Sequence, residues 1–320
     1  MSINNDLINQ IAKMIHEKIS QDANFIFESQ NVKQHLELFN KNDVKTELPS
    51  CSNIDLASKL QLIQQNRMNR PGLGDEFVNS TPQQIKEFQE QLNKYQQISI
   101  VTGFYILDGK PPAPETDGPS ASINLAINLL LQGKSVDLVV EDCCFDIFSR
   151  ILDQIHKDFD FIPLPTLVTP AKPLQDFTIF IEKVGQNSIG QCLSMRAKDV
   201  TKFNSVFAKP KYSFGVGDGG NEIGCGKFKF ENIKPKEIKC VIETDNTILC
   251  DISNFGGLLL SRTISSPQSY QICRYLLSEA YLVSIGVSCG LIDGVTGLQQ
   301  ISVDGMEFQK YKDICNQIWE

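Results

Sequence analysis

Histidine is scarce in this 320-residue chain: only His16, His35 and His156 occur, all far in sequence from its densest cluster of glycines and acids. Proton transfer is therefore expected to fall to carboxylates, lysines or bound water. No C-x-x-C pair occurs among the ten cysteines (51, 143, 144, 192, 225, 240, 250, 273, 289 and 315). That spacing argues against a zinc site and for reduced thiols, mostly buried as small hydrophobes. There is no block rich in lysine and arginine, and 30 basic against 38 acidic residues leave a net charge of −8. Nucleic acid and anionic membranes are poor partners for such a chain. No apolar run approaches the roughly 18 residues that span a bilayer. The opening "MSINNDLINQIAKMIHEK" lacks a signal-peptide core, and its lone early Lys13 does not make a transit peptide. These absences predict a cytoplasmic protein.

What is present is the composition of a globular protein, 41% hydrophobic and 21% charged, long enough for one or two domains. Two regions differ in texture. Residues 1–97 read as a helical segment packed on the main domain. Leu7, Ile8, Ile11, Ile15 and Ile19 recur at helical spacing, as do Ile54, Ala57, Leu60 and Ile63. "TPQQIKEFQEQLNKYQQ" starts with a Thr81 cap and Pro82, then puts Ile85, Phe88, Leu92 and Tyr95 on one face. "RMNRPGLGDEF" is a turn-rich exception in which Arg67 or Arg70 could reach an anion.

Residues 98–320 alternate strands and helices. Strands are predicted at 98–106, 135–140, 177–184, 212–217 and 238–244. Between the first two, "SASINLAINLLLQG" places Ile123, Ile127, Leu130 and Leu131 on one helix face, and Asn124, Asn128 and Gln132 on the other. Near-continuous apolar strands linked by helices predict an α/β fold, a mainly parallel sheet with helices on both faces.

Such sheets bind ligands beyond the carboxyl ends of their strands. Residues just after the strands include Glu115, Asp117, Gly118 and Pro119; Glu141 and Asp142; Arg196; Asp245 and Asn246. The strand at 177–184 itself carries Glu182 and Lys183. After 212–217 comes "GVGDGGNEIGCGK", six glycines around Asp218, Asn221 and Glu222. Gly215, Gly217 and Gly220 match G-x-G-x-x-G, with Glu243 placed as a ribose-binding acid would be, but no helical apolar face follows. A tight structural turn would need fewer glycines. The preferred reading is a backbone cradle whose N–H groups hold an anionic ligand.

"TGF", "PPAPETDGPSA", "SMRAKDVT", "GVGDGGNEIGCGK", "SNFGGLLL" and "DGVTG…VDG" occur in the order seen in the D-glutamate cyclase family, which this chain resembles from Val101 to Gly305. It departs from the family's usual "ERPG" and "DGxYYxMRG" at Lys183, Val184, Cys192 and Leu193. Cys225 stands where methionine is usual, which makes it a poor nucleophile candidate, and Phe255 where tryptophan is usual. The resemblance implies lactam formation, with D-glutamate losing water to become 5-oxo-D-proline.

That reaction needs a neutral amine, a protonated γ-carboxyl and a stabilised oxyanion, which two carboxyls in different environments can serve. Asp218 and Glu222 are the leading acid–base candidates, with Asp117 in reserve; for Asp117 a helix cap is the competing explanation. Gly217, Gly219, Gly220 and Asn221 are candidate substrate contacts, as are Thr102, Gly103 and Glu115. Arg196 is a candidate anchor for a substrate carboxylate. Asn254 and Asp293 complete the set, each with a turn role as its alternative. No ATP is required and no cofactor is assigned; a divalent metal, Mn or Mg, held by several carboxylates is the alternative way to activate the γ-carboxyl, its ligands unassigned. The expected partner is a small amino-acid substrate, and a homo-oligomer is compatible with the sequence. Two other functions fit: a metal-dependent enzyme acting on a phosphorylated small molecule, and a non-catalytic amino-acid sensor.

Overall fold

A computed structural model describes residues 54–65, 80–229, 233 and 235–320. The helical repeat at Leu7–Ile19 and the anion-binding expectation for Arg67 and Arg70 lie outside these residues.

Helix α1 (Leu56–Gln64) is capped by Asp55, whose carboxylate accepts from the N–H groups of Ala57 and Ser58 at 3.1 and 3.2 Å. It buries Leu60 and Ile63. Helix α2 (Pro82–Leu92) begins at the expected Thr81–Pro82 and buries Ile85, Phe88 and Leu92. The Phe88 ring meets Phe177 at 5.9 Å and Phe214 at 5.1 Å, so α2 packs on the sheet itself.

Strand β1 (Gln97–Val101) is followed by a small antiparallel ribbon of β2 (Tyr105–Ile106) and β3 (Ala113–Pro114), then helix α3 (Pro119–Leu131). Next come β4 (Ser135–Val139), α4 (Asp142–Asp158), β5 (Thr166–Val168), β6 (Phe177–Ile181), β7 (Tyr212–Gly217) and β8 (Asn246–Leu249). Helices α5 (Ser253–Ile264), α6 (Pro267–Gln271), α7 (Glu279–Cys289) and α8 (Phe308–Trp319) complete the described chain. Six strands form one wholly parallel sheet in the order β5-β4-β1-β6-β7-β8. The α/β class with a parallel sheet is as expected.

Paired register places Ile98, Ile100, Phe177, Ile179, Phe214 and Val216 on one face, where α2, α3 and α5 pack. On the opposite face Val101, Val139 and Phe180 meet Ile223, with Leu174, Phe207 and Ile242 covering them from the connections. The polar side of α3 is buried as well. Asn124 Nδ2 donates to the carbonyls of Cys273 and Leu277 at 2.8 and 2.9 Å, and Asn128 Nδ2 donates to the Ser261 carbonyl at 2.7 Å. Asparagine at those positions therefore joins helices rather than facing water.

One expected strand is absent. Residues 238–244 form no part of the sheet; the last strand is β8, "NTIL", immediately after Asp245. Their backbone bonds go to loops instead. Cys240 N donates to Gly220 O at 3.0 Å and Val241 N to Gln186 O at 2.8 Å, while Ile242 O accepts from Gly224 N and Gly226 N. Apolar alternation there serves a strap across the glycine loop, which local pattern does not distinguish from a strand. Two further strands also end early, β1 at Val101 and β6 at Ile181. Beyond them the chain turns at Gly103 and Glu182, which have φ of +97° and +46°.

Between β1 and β6 the direction of sheet growth reverses, since chain order runs outward from β1 through β4 to β5 and from β6 through β7 to β8. In open parallel sheets such a switch point leaves a crevice at the carboxyl ends, where ligands bind. Thr102 follows β1 and Glu182 follows β6, so the two flank that crevice. Among the described residues no single helix is long and apolar enough to cross a membrane.

Candidate active site

Carboxylates crowd the crevice. Oxygens of Asp117, Glu182 and Asp218 lie within 4.8 Å of one another, and all three residues are buried. Each arrives by a different route. Asp117 ends the long connection after β1, Glu182 directly follows β6, and Asp218 directly follows β7. Backbone stitching fixes the approach of the loops. Ile223 N donates to Lys183 O at 2.7 Å and Gly185 N to Asn221 O at 2.8 Å, tying the glycine loop to the segment after β6. Thr116 N donates to Ile292 O at 2.8 Å, which joins the loop of Asp117 to that of Asp293.

Asp117 accepts from Ser253 N at 2.8 Å and Asn254 N at 2.7 Å, the first two N–H groups of α5. It thus caps a helix 136 residues away in sequence rather than the one it precedes. Asn254 Oδ1 accepts in turn from Gly118 N at 2.9 Å and Ala121 N at 3.3 Å, at the start of α3. Two helix amino termini, each with partial positive charge, therefore point at the carboxylate cluster.

Glu182 is the functional candidate that strand reading missed as a site residue. Its φ of +46° is strained for a residue with a Cβ, and such strain concentrates at functional sites. Burial pushes its carboxyl well above the ordinary carboxylate range, and the charges of Glu222, Asp117, Glu115 and Asp304 push it further. Ser253 Oγ donates to its Oε2 at 2.6 Å. The available signal was an acid at the carboxyl end of a buried strand.

The glycine loop answers its own puzzle in large part. Gly219 N and Gly220 N donate to Glu222 Oε1 and Oε2 at 2.9 and 2.8 Å, so the anion in the cradle is the loop's own glutamate. A Cβ on Gly215 would lie 2.9 Å from Ile223 O, and one on Gly226 would lie 2.5 Å from Val241 C and O. At those glycines the close neighbour is the chain itself. The dinucleotide reading also fails here, because a three-residue 3-10 turn, Cys225–Lys227, follows in place of a helix.

Gly219 differs. A Cβ there would meet Glu222 Oε1 at 2.7 Å, Asn221 Oδ1 at 2.8 Å and Met195 Sδ at 2.9 Å, all ends of side chains. Asn221 Nδ2 donates to Leu193 O at 2.9 Å, whereas its buried Oδ1 has no hydrogen-bond partner among the described residues. Thr102 Oγ1 is likewise buried without one, 2.7 Å from where a Cβ on Gly118 would sit. Leu193 and Met195 thus bring the segment that departs from the resembling family against this loop.

The remaining candidates are dispersed. Glu115 is buried, with Oε2 against Gly294. Asp293 organises its own loop, accepting from Val295 N, Thr296 N, Ser302 Oγ and Gly305 N. Gly217 packs against Glu222 and Cys225. Gly103 lies under Cys144 and Phe148. Arg196 is at the rim, 44% exposed, ion-paired to Asp108 at 3.2 Å and donating to the Val295 carbonyl. Lys183 turns away from the cluster to a buried ion pair with Glu141 at 2.7 Å. The Cys225 thiol is buried and donates to Glu222 Oε2 at 3.2 Å; burial first, then Glu222, pushes its pKa well up, as befits an inert thiol. A cavity of about 410 Å³, lined by residues including Phe180, Phe207 and Ile242, opens elsewhere, and none of the candidates lines it.

Three buried carboxylates with oxygens this close are hard donors of the kind that hold Mg²⁺ or Mn²⁺. Without a cation, their proximity favours a proton on Glu182.

Residues 61–319 match the family described as D-glutamate cyclase-like, C-terminal, and the chain belongs to that family. It is also similar to the human protein named D-glutamate cyclase, mitochondrial, at 25% identity over 271 residues, covering 68% of this chain and 44% of that protein. The chain thus spans less than half the length of this curated relative.

Proposed function

We propose that the chain is a lyase of D-glutamate cyclase type, converting D-glutamate to 5-oxo-D-proline with loss of water. The observation that carries this reading is the Asp117–Glu182–Asp218 cluster at the switch point, in a chain of this family. Asp218 takes a proton from the substrate ammonium and passes it to the γ-carboxylate. The amine then attacks the γ-carbon, the C–N bond forms, and Asp218 takes a second proton from that nitrogen. The γ-hydroxyl departs as water with a proton from Glu182, which the proton on Asp218 then restores, so the nitrogen loses two protons and the leaving oxygen gains two. A glutamate whose carboxyl is pushed well above the ordinary range by burial and like charges suits that donor role. Asn221 Oδ1, an acceptor without a partner among the described residues, suits a substrate N–H, and Thr102 Oγ1 suits a substrate carboxylate. Asp117 positions the cluster from α5, and Glu222 holds the glycine loop in shape; a proton-transfer role for Glu222 would require it to release Gly219 and Gly220.

The same oxygens also suit a second arrangement, in which a cation takes the place of the proton on Glu182. Mg²⁺ or Mn²⁺ held by Asp117, Glu182 and Asp218 would supply a Lewis acid for the γ-carboxyl. Purified protein incubated with D- or L-glutamate, with and without each metal, and assayed by chromatography for 5-oxoproline tests the reading. Product from the D-enantiomer is expected. No product from either enantiomer under any metal condition would overturn it.

A further inference from the structure

Outside the carboxylate cluster, a second reactive grouping stands at the amino end of α4. Cys143 and Cys144 are the second and third residues of this 17-residue helix, with their sulfurs 3.8 Å apart and in hydrogen-bond contact. Cys143 is half-buried; Cys144 is buried, with Sγ 3.9 Å from Gly103 O. The free N–H groups and dipole of a helix amino terminus favour a thiolate. The hydrogen bond from Cys144 lowers the pKa of Cys143, and the Lys183 ammonium adds to this, while burial and Glu141 oppose it. Cys192, Cys225, Cys240, Cys250, Cys273 and Cys315 are buried, so water-borne reagents reach Cys143 more readily.

We propose that Cys143 and Cys144 form a hydroperoxide-sensitive dithiol, Cys143 attacking and Cys144 resolving. The Cys143 thiolate attacks one oxygen of the hydroperoxide; the S–O bond forms, the O–O bond breaks, and the other oxygen leaves as an alcohol or water after taking a proton. The Cys144 thiol then attacks the sulfenic sulfur, the S–S bond forms and water leaves. Two electrons pass from the sulfurs to the peroxide, and two thiols become one disulfide. An adjacent-residue disulfide must distort the first helical turn, and this is the turn best able to tolerate it. The first N–H groups of a helix have no partner within it, and the bond at stake is Cys144 N to Glu141 O at 2.8 Å. Cys144 already touches Gly103, next to Thr102, so closure would disturb that contact.

The test is limiting hydrogen peroxide on the intact reduced protein, alkylation of remaining thiols at intervals, and peptide mapping. Cys289, half-buried at the last residue of α7, is the internal comparison. Expected is joint loss of Cys143 and Cys144 as an intramolecular disulfide, roughly tenfold or more faster than loss of Cys289. In Cys144→Ser, Cys143 should stop at sulfenic acid and be trapped by dimedone. Retention of both thiols while Cys289 or another cysteine oxidises first would overturn the proposal. So would wild-type Cys143 reaching sulfinic acid with Cys144 still free.

Discussion

Asp117 and Asn254 cap each other's helices: the Asp117 carboxylate holds the amino terminus of α5, and the Asn254 amide oxygen holds that of α3. Asn254 Nδ2 also donates to Thr116 O at 3.0 Å, closing the arrangement. Both side chains are buried, so each cap is worth more than its surface equivalent. The exchange fixes the distance between two helix ends and, with it, the place of Asp117 beside Glu182 and Asp218.

Asp117→Ala and Asn254→Ala should each destabilise the fold by about 1–3 kcal/mol, because each leaves buried N–H groups unpaired. In a double-mutant cycle the losses should be non-additive by about 0.5–3 kcal/mol. Denaturant unfolding measures both quantities. Wild-type stability in Asp117→Ala would show that the cap carries no energy.

Gly219→Ala and Gly220→Ala should separate. Gly220 has φ of +91°, so alanine there strains the backbone and costs on the order of 1–2 kcal/mol of stability. At Gly219 the atoms in the way are side-chain ends, which can move into the space a substrate would use. Thermal melts should therefore shift more for Gly220→Ala, while substrate titration should weaken for Gly219→Ala. An equal melting shift for both would contradict this division.

Stability should fall as pH rises from about 4.5 to about 7, through Glu279. Burial pushes this carboxyl up to about 7, against hydrogen bonds from Ser120 and Tyr311. The folded state then holds a proton that the unfolded state releases near 4.5, so the contribution is complete below 4.5, lost progressively up to 7 and flat above. The size is roughly 3 kcal/mol. Unfolding midpoints across this window should slope less steeply in Glu279→Gln; Glu182, also shifted upward, keeps part of the slope. An unchanged slope would remove Glu279 from the account.

The sheet was legible because buried parallel strands are near-continuous apolar runs, and four of the five expected strands stand where "ISIV", "SVDLV", "FTIFI" and "YSFGVG" occur. The short β5, three residues long, offers too little pattern to read. The strap at 238–244 imitates a strand because it too hides alternate side chains, against a loop rather than a neighbouring strand. In the site, Asp117 and Asp218 stood out by their glycine and proline neighbours. Glu182 did not, since its role depends on a strand ending one residue earlier and on acids brought from elsewhere in the chain. Glu222 stood out equally well in sequence, and its contacts are those of a loop's internal cap.

Proton transfer to and from the substrate by Glu182 and Asp218 is the central claim, and steady-state turnover of D-glutamate by Glu182→Gln and Asp218→Asn beside the wild type tests it most directly. Both substitutions keep size and hydrogen-bonding shape while removing the titrating group. Each is expected to lower kcat by about 10²–10⁴ with KM little changed, in a protein whose melting temperature shows it folded. Wild-type kcat in both variants, with 5-oxo-D-proline still formed, would contradict it.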